Sequence, residues 1–134
     1  MEPENQYPEL NSRARQLWLV IGWLLVLLVI FLSLAPISVQ VPVEEGDKLG
    51  HVTAYATLML WFANLYETLS RRNMLAIGFV ALGVALEFVQ GWTGYRTFEF
   101  ADMAADALGV AVGWALAPPR LPNFLQRIEK FVRR

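Results

Sequence analysis

The sequence predicts an all-α, polytopic membrane protein: a bundle of four transmembrane helices with both termini in the cytoplasm. Three observations predict it. Of 134 residues, 56% are hydrophobic and 17% charged, and the mean hydropathy is +0.40; soluble domains of this size are usually a little under half apolar. The charges gather in the tails and in short gaps between four apolar runs. Lysine and arginine fall almost wholly on one side of those runs. The net charge of −1 conceals this unevenness. With no cysteine in the chain, disulfides and thiolate chemistry are excluded. No nucleic-acid-binding motif is present.

The first span is Leu17–Leu34, uncharged throughout and closed by Ala35-Pro36, where proline disfavours further helix. Arg13 and Arg15 precede it as they would a signal peptide, but the run exceeds a signal-peptide core and three more follow, so it reads as an uncleaved anchor. The second span runs from Lys48 to about Tyr66, the third from Asn73 to Trp92 and the fourth from Phe98 to Ala117, ahead of Pro118-Pro119. The stretch Ala35–Gly46, rich in Pro, Val and Glu, is expected to hug the membrane surface. The chain thus divides into a cytoplasmic tail (1–16), a membrane domain (17–117) and a basic tail (118–134). In that last tail Phe124, Leu125, Ile128, Phe131 and Val132 recur at helical spacing among Arg127, Lys130, Arg133 and Arg134. Such a helix can rest on an anionic inner leaflet; a tail that merely fixes topology explains it equally well.

Orientation follows from the basic residues. One side carries Arg13, Arg15, Arg71, Arg72, Arg120, Arg127, Lys130, Arg133 and Arg134; the other carries only Lys48 and Arg96. The first side is therefore cytoplasmic, and both termini lie there.

A charge inside a bilayer costs several kcal/mol and normally faces a bundle interior or a water-filled cavity. Here three helices carry polar stripes toward the outward face. On the second, Asp47, His51 and Tyr55 are spaced i, i+4, i+8, with Lys48 beside them. On the third, Glu87 and Gln90 lie near the outward end. On the fourth, Arg96, Glu99, Asp102, Asp106 and Gly109 form one descending stripe. At about 1.5 Å of rise per residue, Tyr55 and Asp106 both lie roughly 10 Å below their helix mouths. Gly109-xxx-Gly113 and Gly83 would let the helices close tightly beneath this zone.

Each feature has a plainer explanation. Asp47 and Lys48 fit a solvated helix start, with Asp near the N-terminal dipole. A lone His51 fits a hydrogen-bonded helix interface, although histidine is also the side chain suited to proton transfer near neutral pH. Interhelical glue would explain Glu87 and Asp106, yet such contacts average under about 1 kcal/mol in membranes, poor return for burying a carboxylate. Trp18, Trp23, Trp61, Trp92 and Trp114 read as interfacial or packing residues.

With these stripes in view the chain resembles the VanZ-like family of bacterial membrane proteins. The resemblance is carried by Asp47-Lys48-x-x-His51-x-x-x-Tyr55, by Glu87-x-x-Gln90, and by Arg96-x-x-Glu99-x-x-Asp102-x-x-Ala105-Asp106-x-x-Gly109. It extends over about Asp47 to Gly113. It departs at Asp106, where many relatives have asparagine, so a formal charge there is not essential to what the family shares. The resemblance implies a bacterial inner-membrane location and a link to envelope lipids or wall precursors. The family's name comes from a member associated with glycopeptide antibiotic resistance, to teicoplanin, and no settled activity comes with it.

The function expected is binding or handling the polar headgroup of an envelope lipid, or of a lipid-linked wall precursor, in an outward-facing intramembrane pocket. Asp47, Lys48, His51, Tyr55, Glu87, Gln90, Arg96, Glu99, Asp102 and Asp106 would line it, and Gly83, Gly109 and Gly113 would pack the helices. The partners implied are the bilayer, an isoprenoid-phosphate or glycolipid ligand and, for a transport role, a second copy of the chain. Acidic residues outnumber Lys48 and Arg96 there, which an anionic ligand must overcome. The alternatives are an intramembrane hydrolase or transferase and a proton-coupled lipid transporter. One histidine gives no zinc-type ligand set, HExxH is absent, and no serine sits beside a base. An oxygen-only trio of Glu87, Asp102 and Asp106 is the most the spacing offers a cation, so no metal ligand is assigned and no cofactor is named.

Overall fold

The computed structural model describes residues 10–36 and 46–133. Among these are five α-helices and no strand: α1 (Ser12–Leu34), α2 (Gly46–Leu65), α3 (Leu69–Thr93), α4 (Phe100–Leu116) and α5 (Phe124–Val132). Most of the proline- and valine-rich stretch, with Glu44 and Glu45, lies outside the described residues, as does Arg134.

Local sequence sets the helix ends. The Asn11 side chain caps α1 by accepting from the Arg13 amide at 3.3 Å. Pro36, with no N–H to offer, follows its last turn. α3 stops at Gly94, whose φ of +75° is a left-handed conformation that glycine takes without strain. Asn123 caps α5 by accepting from the Gln126 amide at 3.2 Å.

α2 is the central helix and touches each of the other four, α4 most extensively. The α2–α4 seam is a backbone contact. A Cβ at Gly109 would sit 2.5 Å from the Val52 carbonyl oxygen, and one at Gly113 would sit 2.6 Å from that of Ala56. Only residues without side chains permit so close an approach. The remaining core gathers around α2, where Tyr55, Leu58, Met59 and Phe62 meet Val26, Phe79, Val110 and Ala117.

The bundle exposes large apolar side chains and buries several carboxylates among its helices. Phe31 on α1 is 60% exposed and Ile77 on α3 is 72% exposed, whereas Glu87 is 1% and Asp106 3% exposed. Water would favour the reverse; a hydrocarbon solvent favours this. α1 and α3 are each long and apolar enough to cross a membrane, and little of α1 is covered by other helices, unlike the core helix of a soluble protein. α2 carries Asp47, Lys48 and His51 and α4 carries Asp102 and Asp106; α4, with 17 residues, is about 25 Å long.

At the other end of the bundle Arg72 does more than mark a side. Its guanidinium donates to the carbonyls of Tyr66 at 2.8 Å and Ala63 at 2.9 Å, and to that of Pro118. It thereby ties the ends of α2 and α4 together. Buried Asn64 holds α5: its side-chain oxygen accepts from the Phe124 amide at 3.1 Å and its carbonyl from the Asn123 side chain at 2.9 Å. The tail's apolar stripe is consequently divided. Leu125 is fully buried and Phe124 lies against Trp61, while Ile128, Phe131 and Val132 stay exposed beside Arg127, Lys130 and Arg133.

Candidate functional site

The polar residues meet at the end where α2 and α4 begin and α3 ends. His51 is five residues into α2, Asp106 six into α4, and Glu87 six from the end of α3. All three therefore sit roughly 7–9 Å along their helices from that end.

His51 is the hub. Its Nδ1 lies 2.7 Å from Asp106 Oδ1, and its Nε2 lies 3.9 Å from Asp102 Oδ2. The first distance is a hydrogen bond, with Nδ1–H donating to the carboxylate; the proton is assigned by that partner. This leaves Nε2 turned toward Asp102. Asp102 and Asp106 are spaced i, i+4, so one face of α4 presents both to one imidazole. Asp47, a turn before His51, brings a carboxylate oxygen to the same place: one ligand atom from each of Asp47, His51 and Asp102 lies within 4.8 Å of the others. Lys48 pairs with Glu99 at 3.5 Å across the mouth, where both are partly exposed.

Glu87 is nearly fully buried and accepts from the backbone amide of Glu99 at 2.7 Å. Glu99 is the residue just before α4, so this bond satisfies one of the amides that every helix start leaves unpaired. Asp106 fits against α3 because Gly83 has no side chain; a Cβ there would lie 2.6 Å from Asp106 Oδ2. Tyr55 lies one turn below His51, buried, with its hydroxyl lacking a hydrogen-bond partner among the described residues. Asp102 Oδ1 is buried and unpartnered in the same sense.

Two expected lining residues have other partners. Gln90 donates to the Ser33 carbonyl at 2.7 Å, and Arg96 lies 3.5 Å from the Leu32 carbonyl. Tyr95 donates to the carbonyl of Leu34. The cause lies in the end of α1. A helix leaves its last carbonyls without partners, and the residue that would serve Leu32 is Pro36, which has no N–H. Gln90, Tyr95 and Arg96 reach these acceptors, so α1 becomes a fourth wall that polar patterning on α2–α4 alone did not reveal. The proline-closed end of α1 was the available signal.

The oxygen-only trio is likewise broken up. Asp106 is taken by His51 and Glu87 by the Glu99 amide, leaving Asp102 facing Nε2. Such an arrangement can orient an imidazole, accept or donate a proton at Nε2, and gather oxygen and nitrogen ligands around one point.

Two helices long and apolar enough to cross a membrane, in an apolar-surfaced bundle with a buried acid–histidine cluster, point to a helical membrane protein with a polar site between its helices. The chain belongs to the VanZ/LLP1 family, whose model matches residues 4–123. It is also 34% identical over 103 residues to an uncharacterized protein of the fission yeast Schizosaccharomyces pombe. That match covers 72% of this chain and 61% of the relative, so the chain spans about six tenths of the relative's length. No solved structure matches the chain.

Proposed function

We propose that α1–α4 all cross the bilayer, in a bacterial inner membrane, with both termini cytoplasmic, and that the His51 cluster opens toward the outer leaflet to bind the headgroup of an envelope lipid or lipid-linked precursor. The single observation that carries this reading is the burial of Glu87, Asp102 and Asp106, from two helices, around His51 near one end of the bundle. Burying three carboxylates is costly. A role as glue accounts poorly for it, because Asp102 Oδ1 bonds to nothing among the described residues. The basic residues of the described tail, with Arg71 and Arg72, gather at the opposite end, which supports the orientation.

The transport alternative is weakened by the α2–α4 seam, since Gly109 and Gly113 press the two backbones together directly beneath the site. The enzymatic alternative is favoured by the His51–Asp106 bond, which orients an imidazole as a general base requires.

Lipids extracted from the purified protein and identified by mass spectrometry test the headgroup reading. Wild type should be enriched in one anionic or glycosylated lipid class relative to the membrane it came from, and His51→Ala should lose that enrichment. Bulk phospholipid in both samples would refute it. Topology has its own test, made clean by the absence of cysteine. Thr97→Cys should react with an impermeant maleimide from outside the cell, and Thr68→Cys and Arg120→Cys only after the membrane is opened. Labelling of Thr68→Cys in intact cells would overturn the orientation.

A further inference from the structure

We propose that Asp47, His51 and Asp102 form a binding site for one divalent transition-metal ion, of the Mn2+ class, with Asp106 as the positioning residue of the histidine ligand. This goes beyond the headgroup reading and stands without it. Three observations converge. One ligand atom each from Asp47, His51 and Asp102 already lies within 4.8 Å of the others. Ligand atoms around such an ion, with bonds of about 2.0–2.2 Å, lie roughly 3–3.5 Å apart; exposed Asp47 is free to swing in by the remaining ångström or so. Asp102 is 5% exposed, and its Oδ1 has no hydrogen-bond partner among the described residues while Oδ2 faces His51 Nε2 at 3.9 Å. A carboxylate so buried is ordinarily satisfied, and an ion seated at Nε2 would satisfy it.

The third observation is the back of the imidazole. A metal-bound histidine almost always donates its other N–H to a carboxylate or carbonyl, which fixes the tautomer and aims the free nitrogen. His51 does so already, from Nδ1 to Asp106 at 2.7 Å, which leaves Nε2 as the donor atom. The nearest competing cation, Lys48, is paired with Glu99. A mixed ligand set of one imidazole and two carboxylates selects first-row transition ions over Mg2+ and Ca2+, which prefer oxygen alone. Its charge also alters the site: a dication on Asp47 and Asp102 turns an acidic mouth into one that can receive a phosphate oxygen at the ion's open coordination position.

The experiment uses the full chain in detergent, freed of any histidine tag and treated with chelator. Titration with Mn2+ alone, followed by electron paramagnetic resonance, should show one ion per chain, displaced by Zn2+ and not by equimolar Ca2+. Asp102→Asn, Asp47→Asn and His51→Gln should each weaken Mn2+ binding by about tenfold or more. Because His51 is the only histidine, 15N-histidine labelling adds a readout that a folding defect does not imitate. Substoichiometric Mn2+ should broaden Nε2 far more than Nδ1 in the wild-type chain. Absence of one-to-one binding, affinity in His51→Gln within twofold of wild type, or equal broadening of both nitrogens would overturn the proposal. If Mn2+ binds as described but the lipids extracted with the loaded protein are bulk phospholipid alone, the ion site stands and the headgroup reading falls.

Discussion

Replacing Gly109 by valine should strongly destabilise the folded bundle and lower its melting temperature. A side chain added to a packed interior usually costs about 1–3 kcal/mol, because neighbouring side chains can shift. At Gly109 a Cβ would meet Tyr55 Cβ at 3.0 Å and two backbone atoms of α2, the Val52 carbonyl oxygen at 2.5 Å and the Ala56 amide nitrogen at 3.1 Å. None of these can move without moving the helix. The seam must open, and α4 would carry Asp106 away from His51 and from the space left by Gly83. The cost should therefore reach or pass the upper end of that range, which is a large part of the 5–15 kcal/mol that holds an ordinary domain together. Gly78 supplies the control, since a Cβ there would meet nothing within 4 Å. Gly78→Ala should leave stability unchanged or raise it by about 0.5–1 kcal/mol through helix propensity. Thermal unfolding in one detergent, followed by circular dichroism and size exclusion, compares the two. Equal melting temperatures would mean that the close α2–α4 contact does not exist in solution.

The same seam marks where the sequence was informative. Apolar runs broken by Ala35-Pro36 and Pro118-Pro119 identified α1 and α4, and the amphipathic spacing of the tail identified α5, because helix ends and amphipathic faces are local properties. The i, i+4 stripes on α2 and α4 put His51, Asp102 and Asp106 on faces that the fold brings together, for the same reason. Neighbours were harder to read. The short connection after α2 makes α3 its neighbour in sequence, yet α2 packs chiefly on α4. Which carboxylate meets which partner depends on that pairing, so the His51–Asp106 bond and the capture of Glu87 by the Glu99 amide were not legible. Charge and depth assigned Arg96 and Gln90 to the pocket. The unpaired carbonyls of α1 compete for them, and that competition arises only once the helices are assembled. Arg72 shows the same limit. It counted as a topological charge, whereas its donors join three segments of backbone.

The second large effect concerns the buried pair itself. Asp106 is 3% exposed and makes its hydrogen bond to His51 at 2.7 Å. Removing one member of a buried pair leaves an uncompensated charge, a loss of about 3–5 kcal/mol. His51→Leu should fall in that range, because Asp106 then has neither the imidazole nor water. Asp106→Asn should cost far less, since the amide oxygen still accepts from Nδ1–H. The informative variant is the double substitution His51→Leu with Asp106→Leu. Replacing a whole buried pair by apolar residues of similar volume is often neutral or stabilising, so the double variant should recover most of what the single one loses, and the cycle should report strong coupling. A double variant as stable as wild type that no longer retains its lipid would show that the pair is kept for binding, with stability a secondary consequence. A double variant that unfolds as readily as His51→Leu would show the opposite: these side chains hold α2 to α4, and the buried carboxylates would then need no ligand to explain them.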